Sequence, residues 1–75
     1  MYSGKVLADR IKATAKAQGV KIGEINTVCG IGMNAISQVA QGRAMRADTL
    51  TAIADLLGVS VDYLLGRTDK PEINR

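Results

Sequence analysis

The sequence is poor in aromatic residues and in cysteine. Its 75 residues include two tyrosines, no phenylalanine, no tryptophan and one cysteine, Cys29. Aliphatic side chains must therefore fill the core, and the scarcity of aromatic stacking platforms disfavours single-strand nucleic-acid binding. A single cysteine excludes an internal disulfide framework. Because Cys29 lies among apolar neighbours, we expect a buried small hydrophobe rather than the alternative, a reactive thiol.

The chain also lacks the sequence features of an enzyme, a metalloprotein or a membrane protein. It has no histidine, no carboxylates paired at helical spacing, no metal-ligand cluster and no glycine loop typical of phosphate binding. No stretch approaches the roughly 18 apolar residues of a membrane span, and no apolar run near the N-terminus resembles a signal peptide. We therefore expect a cytoplasmic protein that is not an enzyme, with no cofactor, no metal, no membrane contact and no evident small-molecule ligand.

Size and charge indicate one small domain with a polyanionic partner. Apolar residues make up 47% of the chain, which is typical of a folded globule. A domain of this length cannot combine a deep substrate cavity with a complete core. Residues 1–46 carry seven basic and two acidic side chains, whereas residues 47–75 carry three basic and five acidic ones. The basic first part favours binding to a polyanion.

Glycines mark the ends of the predicted helices. Glycine is favoured just past a helix end because it adopts left-handed backbone angles without a Cβ penalty. Five glycines follow stretches with helical spacing: Gly19, Gly30, Gly42, Gly58 and Gly66. They predict an all-α fold of five helices, over residues 4–18, 21–29, 33–41, 47–57 and 61–65. Ser3 and Ser60 are the expected N-caps of the first and last helices.

Apolar spacing predicts which face of each helix is buried. The expected core residues are Leu7, Ile11, Thr14 or Ala15, Ile25, Val28, Cys29, Ile36, Val39, Leu50, Ile53, Ala54 and Leu57. The outer face of the third predicted helix then carries no formal charge: Met33, Asn34, Ser37, Gln38 and Gln41. Lys and Glu are the ordinary residues of a solvated helix face, so this face is unusual.

Residues 21–41 have the pattern of a helix-turn-helix. Two short predicted helices flank the turn Gly30-Ile31-Gly32, and Gly30 supplies the residue that tolerates positive φ. Ile31 is the expected apolar plug of that turn. An α-helix fits the major groove of B-DNA, so the pattern predicts that residues 33–41 project from the domain as a recognition helix.

A set of residues spread over most of the chain matches a known family. They are Leu7, Arg10-Ile11, Gly19-Val20, Ile25, Gly30-Ile31, Ile36-Ser37, Val39, Gly42-Arg43, Thr49-Leu50, Ile53-Ala54, Leu56 to Ser60 and Asp62 to Gly66. At these positions the run from Val6 to Gly66 resembles the DNA-binding domain of lambda-type Cro and CI repressors, the XRE helix-turn-helix family. The resemblance implies a five-helix lambda repressor-like domain over residues 1–66 and a polar tail over residues 67–75.

The resemblance also implies a function and a set of contacts. The function is sequence-specific regulation of transcription, with repression the expected outcome, on double-stranded DNA with a pseudo-palindromic operator. The implied base contacts are Met33, Asn34, Ser37 and Gln38. The implied phosphate contacts are Lys21, Gln41, Arg43 and Arg46. Asn and Gln can bond adenine through two hydrogen bonds, and Met can pack on a thymine methyl group.

Three positions depart from the family's pattern. Ile22 replaces a polar residue at the start of the second helix, and Asn26 replaces the usual Ala. Ala40 stands where many members have a Glu that pairs with the Arg of the first helix. Arg10 must then find another acceptor, reach solvent or contact phosphate. These departures leave an alternative open, a protein-interaction or antitoxin-like helix-turn-helix module with weak or no DNA binding.

A homodimer is expected, at least on DNA, because one domain of this size makes too few contacts for tight, specific binding. The sequence offers two routes to it. The dimer uses the last helix with the apolar residues Val59, Val61 and Leu65, or it forms only when two copies bind adjacent half-sites.

Overall fold

The structure is a computed structural model that describes residues 3–72, and these residues form five helices and no strand. The helices are α1 (Gly4–Gln18), α2 (Ile22–Cys29), α3 (Ala35–Ala40), α4 (Ala47–Leu57) and α5 (Val61–Leu64). The all-α prediction is confirmed. Residues 1–2 of the predicted domain and residues 73–75 of the predicted tail lie outside the described residues.

The predicted helix ends and caps are present. All five glycines have positive φ: Gly19, Gly30, Gly42, Gly58 and Gly66. The Ser3 side chain accepts a hydrogen bond from the Val6 N–H, and the Ser60 side chain accepts one from the Tyr63 N–H. A serine N-cap satisfies one of the backbone donors that the first helical turn leaves free.

The core consists of aliphatic side chains from all five helices, as the scarcity of aromatics predicts. Its members are Leu7, Ala8, Ile11, Ala15, Ile25, Ile36, Val39, Leu50, Ile53, Ala54, Leu57, Val59 and Leu64. Within it, α1 contacts α3, α4 and α5, and α2 contacts α4. Full burial of one Leu or Ile stabilises the fold by about 1.5–3 kcal/mol. The buried Ile36 and Val39 of α3 therefore hold this helix against α1.

The prediction that Val28 is buried is wrong. Its side chain is 62% exposed, whereas Ile25 on the same helix is fully buried. Ile22 and Cys29 pack partly against the core together with Ile25. These three positions, spaced by three and then four residues, form one stripe along α2. Val28 falls about 100° away from Cys29 around the helix, outside that stripe.

The third helix begins at Ala35, two residues later than predicted, and ends at Ala40. Met33 and Asn34 form a turn instead, in which the Ala35 N–H donates to the Gly32 carbonyl at 3.1 Å. Asn34 has φ −103° and ψ 9° and acts as the N-cap residue. The connection between α2 and α3 therefore spans residues 30–34.

Residues 67–72 of the predicted tail lie against the helices, where Arg10 holds them. Its Nη1 donates to the carbonyls of Tyr63 at 3.0 Å and Thr68 at 2.8 Å, and its Nη2 donates to the Asp69 carboxylate at 2.9 Å. The Ser60 N–H also donates to the Pro71 carbonyl at 2.9 Å. Arg10 was expected to find another acceptor, reach solvent or contact phosphate. The structure shows the first of these, because carbonyl and carboxylate oxygens take the place of a Glu on α3.

Within residues 3–72, no helix is both long enough and apolar enough to cross a bilayer.

Candidate nucleic-acid interface

The third helix has one buried face and one exposed face. Ile36 and Val39 are 2% and 3% exposed, and α3 packs against α1. Because these positions are three residues apart, they anchor one side of the helix. Ser37 and Gln38 fall on the opposite side and are exposed. The core therefore fixes which side chains α3 presents to solvent.

The structure brings the four predicted base-contact residues together as exposed side chains: Met33, Asn34, Ser37 and Gln38. Met33 is 86% exposed. Asn34 is the N-cap residue of α3. Ser37 and Gln38 follow it by three and four residues, so all three lie on the same side of the helix. We call these four residues the α3 polar face. It offers amide, hydroxyl and thioether groups and no formal charge.

Asn26 ties α2 to the start of this face, a contact that the sequence analysis missed. Its Nδ2 donates to the Met33 carbonyl at 3.4 Å. Its Oδ1 is buried without a hydrogen-bond partner. The sequence signal for this contact is a polar residue, Asn26, beside the apolar stripe of α2.

Two basic side chains, Arg43 and Arg46, line a groove together with Gln38 of the α3 polar face. Of the predicted phosphate contacts, all four are exposed: Lys21, Gln41, Arg43 and Arg46. The Arg46 Nη2 lies 3.3 Å from Asp48 Oδ2, and both side chains are largely exposed. An exposed ion pair contributes about 0–1 kcal/mol, so Arg46 could exchange Asp48 for a phosphate at little cost. Lys21 precedes α2 as its N-cap residue and makes no capping bond through its side chain.

Gln38 and Arg43 are hydrogen-bonded to each other. The Arg43 Nη1 donates to the Gln38 Oε1 at 3.2 Å. Both residues line a groove of about 240 Å³ between α3 and the start of α4, which also includes Met45, Arg46 and Thr49. The contact joins a predicted base contact, Gln38, to a predicted phosphate contact, Arg43.

Two exposed apolar side chains lie near the connection between α2 and α3. They are Val28, 62% exposed, and Met33, 86% exposed. Cys29 beside them is half-buried and packs partly against the core. Burial raises the pKa of the Cys29 thiol above its ordinary value, so the protonated thiol, which is the less reactive form, is favoured at neutral pH.

The rest of the described surface has no metal-ligand cluster and a further groove. Within residues 3–72, no three potential metal-ligating side chains lie together. A second groove, about 460 Å³ in volume, is lined by parts of α1 and α5 with residues 71–72. Its walls combine small apolar side chains with Thr14, Gln18, Tyr63 and Glu72.

Comparison of the chain with family models, with characterised proteins and with solved structures found no match. The resemblance to lambda-type repressors therefore stays a prediction from the residues quoted above. What the described residues contribute is a helix with an uncharged polar face, a buried face that orients it, and exposed arginines beside it.

Proposed function

We propose that the chain is a sequence-specific double-stranded DNA-binding protein that regulates transcription, most simply as a repressor. In this proposal α2, residues 30–34 and α3 form a helix-turn-helix. The observation that carries it is the exposed α3 polar face with Arg43 and Arg46 beside it. Amide and hydroxyl groups supply directional hydrogen bonds to base edges, whereas arginines supply the charge that attracts phosphates.

The dimensions of α3 suit the major groove. Its six residues span about 9 Å, so the preceding turn adds to the surface that can enter a groove. In helix-turn-helix proteins the N-terminal residues of the recognition helix contact base edges. Asn34, Ser37 and Gln38 are therefore the proposed hydrogen-bonding base contacts, and Met33 packs on a thymine methyl. The proposed phosphate contacts are Lys21, Gln41, Arg43 and Arg46.

We propose that two copies pair on the DNA rather than in solution. Val59 is 6% exposed and belongs to the core, and Val61 and Leu65 are already partly packed against it. The apolar surface at α5 is therefore small, and a stable interface normally buries about 800 Å² per partner. Sedimentation should find a monomer without DNA and two copies on a duplex with two half-sites. A dimer at micromolar concentration without DNA would contradict this.

A selection from randomised duplexes tests DNA recognition. The purified protein should enrich a motif, preferably an inverted repeat with half-sites about one DNA turn apart. Fluorescence anisotropy should then give an affinity that falls steeply as salt is raised, because phosphate contacts release counterions. The absence of any motif, with only weak salt-sensitive binding, would contradict the proposal.

Alanine substitutions of Gln38 and Gln41 distinguish a base contact from a phosphate contact. Gln38→Ala should relax the preference at one base pair, with a loss of about 1–3 kcal/mol for the preferred sequence. Gln41→Ala, the matched control, should weaken binding to preferred and scrambled duplexes alike. Equal losses on all sequences for Gln38→Ala would remove it from the base contacts.

A second candidate function is a protein-interaction or antitoxin-like module, favoured by the exposed Val28 and Met33. Val28 is 62% exposed and Met33 is 86% exposed, and an exposed apolar side chain contributes to a protein contact where it belongs to a larger apolar patch. Under this candidate, Val28→Ser should reduce capture of a partner protein from the source cells without changing DNA affinity. If the chain binds only DNA, Val28→Ser should change neither the capture of a partner protein nor the DNA affinity. Met33→Ala should then weaken binding only where the duplex has the contacted thymine.

A further inference from the structure

We propose that Arg43 is a positioning residue that orients the Gln38 amide so that Gln38 reads guanine rather than adenine. The proposal rests on DNA binding by the α3 polar face, as proposed above. It reverses the expectation from the residue type alone, since an unconstrained glutamine fits adenine best.

The backbone after α3 brings Arg43 back to Gln38. Gly42 has φ 106°, which turns the chain sharply. The Gly42 N–H donates to the Val39 carbonyl and the Arg43 N–H donates to the Gln38 carbonyl, both at 3.0 Å. This pair of bonds is a Schellman motif, in which the residue after the glycine contacts the residue five positions earlier. The proximity of Arg43 to Gln38 is therefore built into the backbone.

The other four helix ends show that this contact depends on side-chain type. Each has the same two backbone bonds, and the residues that follow the glycines are Val20, Ile31, Val59 and Arg67. The first three are apolar and pack against the core. Arg67 instead lies 3.8 Å from the Asp62 carboxylate, five residues earlier. An arginine at this position thus pairs with a polar residue on the last turn of its helix.

The pairing fixes which atom of the Gln38 amide remains available. A guanidinium has five N–H donors and no acceptor. The atom that Gln38 turns toward Arg43 must therefore be Oε1, which lies 3.2 Å from Arg43 Nη1. The two N–H donors of Nε2 are left for another partner. Ten residues line the groove at this pair, and none of them is acidic, so no carboxylate there competes with Oε1 for Arg43.

The chemistry of the bases then favours guanine. In the major groove guanine presents two acceptors, N7 and O6, whereas adenine presents the acceptor N7 and the donor N6. An adenine contact needs Oε1 to accept from N6, but Oε1 already faces a cation that would also lie near the N6 donor. A guanine contact needs only donors, and the two N–H groups of the Gln38 Nε2 supply them.

The test compares purine preference in three proteins. The base pair read by Gln38 is located first. It is the position at which a base change costs Gln38→Ala less binding affinity than it costs wild type. Duplexes with guanine or adenine at that position are then titrated with wild type, Arg43→Ala and the matched control Arg46→Ala. Wild type should prefer guanine by about tenfold or more. Arg43→Ala should lose this preference or favour adenine, whereas Arg46→Ala should keep it.

Salt dependence and a double variant separate positioning from charge. Both arginine variants should lower the slope of log affinity against log salt by about 1 if both touch phosphate. In the Gln38→Ala background, Arg43→Ala should change that slope but no longer change the purine preference. A wild type that prefers adenine, or a guanine preference kept by Arg43→Ala, would overturn the proposal while leaving DNA binding intact. If no duplex is preferred over scrambled sequence, the proposed function fails and this proposal fails with it.

Discussion

Replacing Arg10 with alanine should release residues 67–72 from the helices and destabilise the domain strongly. The Arg10 side chain is only 24% exposed. It bonds two backbone carbonyls and one carboxylate across more than 50 residues of sequence. Its guanidinium carbon also lies 4.5 Å from the centre of the Tyr63 ring. A single side chain therefore joins α1, α5 and the segment that follows α5.

The magnitude follows from these contacts. Hydrogen bonds from a charged donor contribute about 1.5–3 kcal/mol each. The Tyr63 and Thr68 carbonyls are partly exposed and can rehydrate, so the lower value applies and the two give about 3 kcal/mol. The ring contact adds about 0.5–1 kcal/mol. The ion pair with Asp69 adds little, because that side chain is 98% exposed. A loss of about 3–4 kcal/mol is large for a domain of this size, whose whole stability is about 4–11 kcal/mol.

Thermal and urea denaturation followed by circular dichroism measure this loss. A loss of about 3–4 kcal/mol should lower Tm by at least about 12 °C. Arg67→Ala is the matched control, since its side chain is 73% exposed and lies 3.8 Å from Asp62. It should change Tm very little, as should Asp69→Ala. If Arg10→Ala lowers Tm no more than Arg67→Ala does, the anchoring role of Arg10 is refuted.

Three further predictions concern stability and reactivity. Asn26→Ala should leave the free energy of unfolding unchanged or raise it, because Oδ1 is buried without a partner; a clear loss in urea titrations would show that the Nδ2 bond to the Met33 carbonyl outweighs the cost of burying that oxygen. Gly66→Ala should lower the free energy of unfolding by about 1–3 kcal/mol. Gly66 has φ 79°, and the new Cβ would lie 2.7 Å from Val6 Cγ1. A second substitution, Val6→Ala, should relieve part of that loss. Cys29 has a raised pKa, so native protein should react with a thiol reagent at neutral pH more slowly than denatured protein; equal rates would contradict its burial.

Helix ends and most of the core could be predicted from the sequence because both depend on local rules. A glycine after an apolar-periodic stretch specifies its own backbone angles, and a serine before one specifies a cap. The start of α3 could not be placed in this way. Met33 and Asn34 continue the helical pattern, but the turn bond from Ala35 to Gly32 delays the helix by two residues. The predicted burial of Val28 is wrong, because the sequence near an apolar residue at the edge of a helical stripe does not show whether its side chain is exposed.

The exposed α3 polar face could also be predicted, since two buried positions on a helix determine the opposite side. The side-chain contacts of Arg10, Asn26 and Gln38 could not be predicted from the sequence, with one exception. The bonds of Arg10 and Asn26 depend on where distant segments return in the folded chain. The contact between Gln38 and Arg43, in contrast, follows from Gly42, because a Schellman end brings the next residue back to the helix. The sequence alone therefore predicts that Arg43 lies near Gln38.

The most direct test of DNA recognition by α3 is the mapping of backbone amide shifts on the duplex that the selection enriches. Titration of labelled protein with that duplex should shift the amides of residues 33–43 and leave most of those in Val61–Leu64 unchanged. A duplex scrambled within the motif should give weaker shifts, concentrated near the basic side chains. Shifts confined to another surface, or an unchanged 33–43 segment on the enriched duplex, would contradict the central claim that α3 reads DNA.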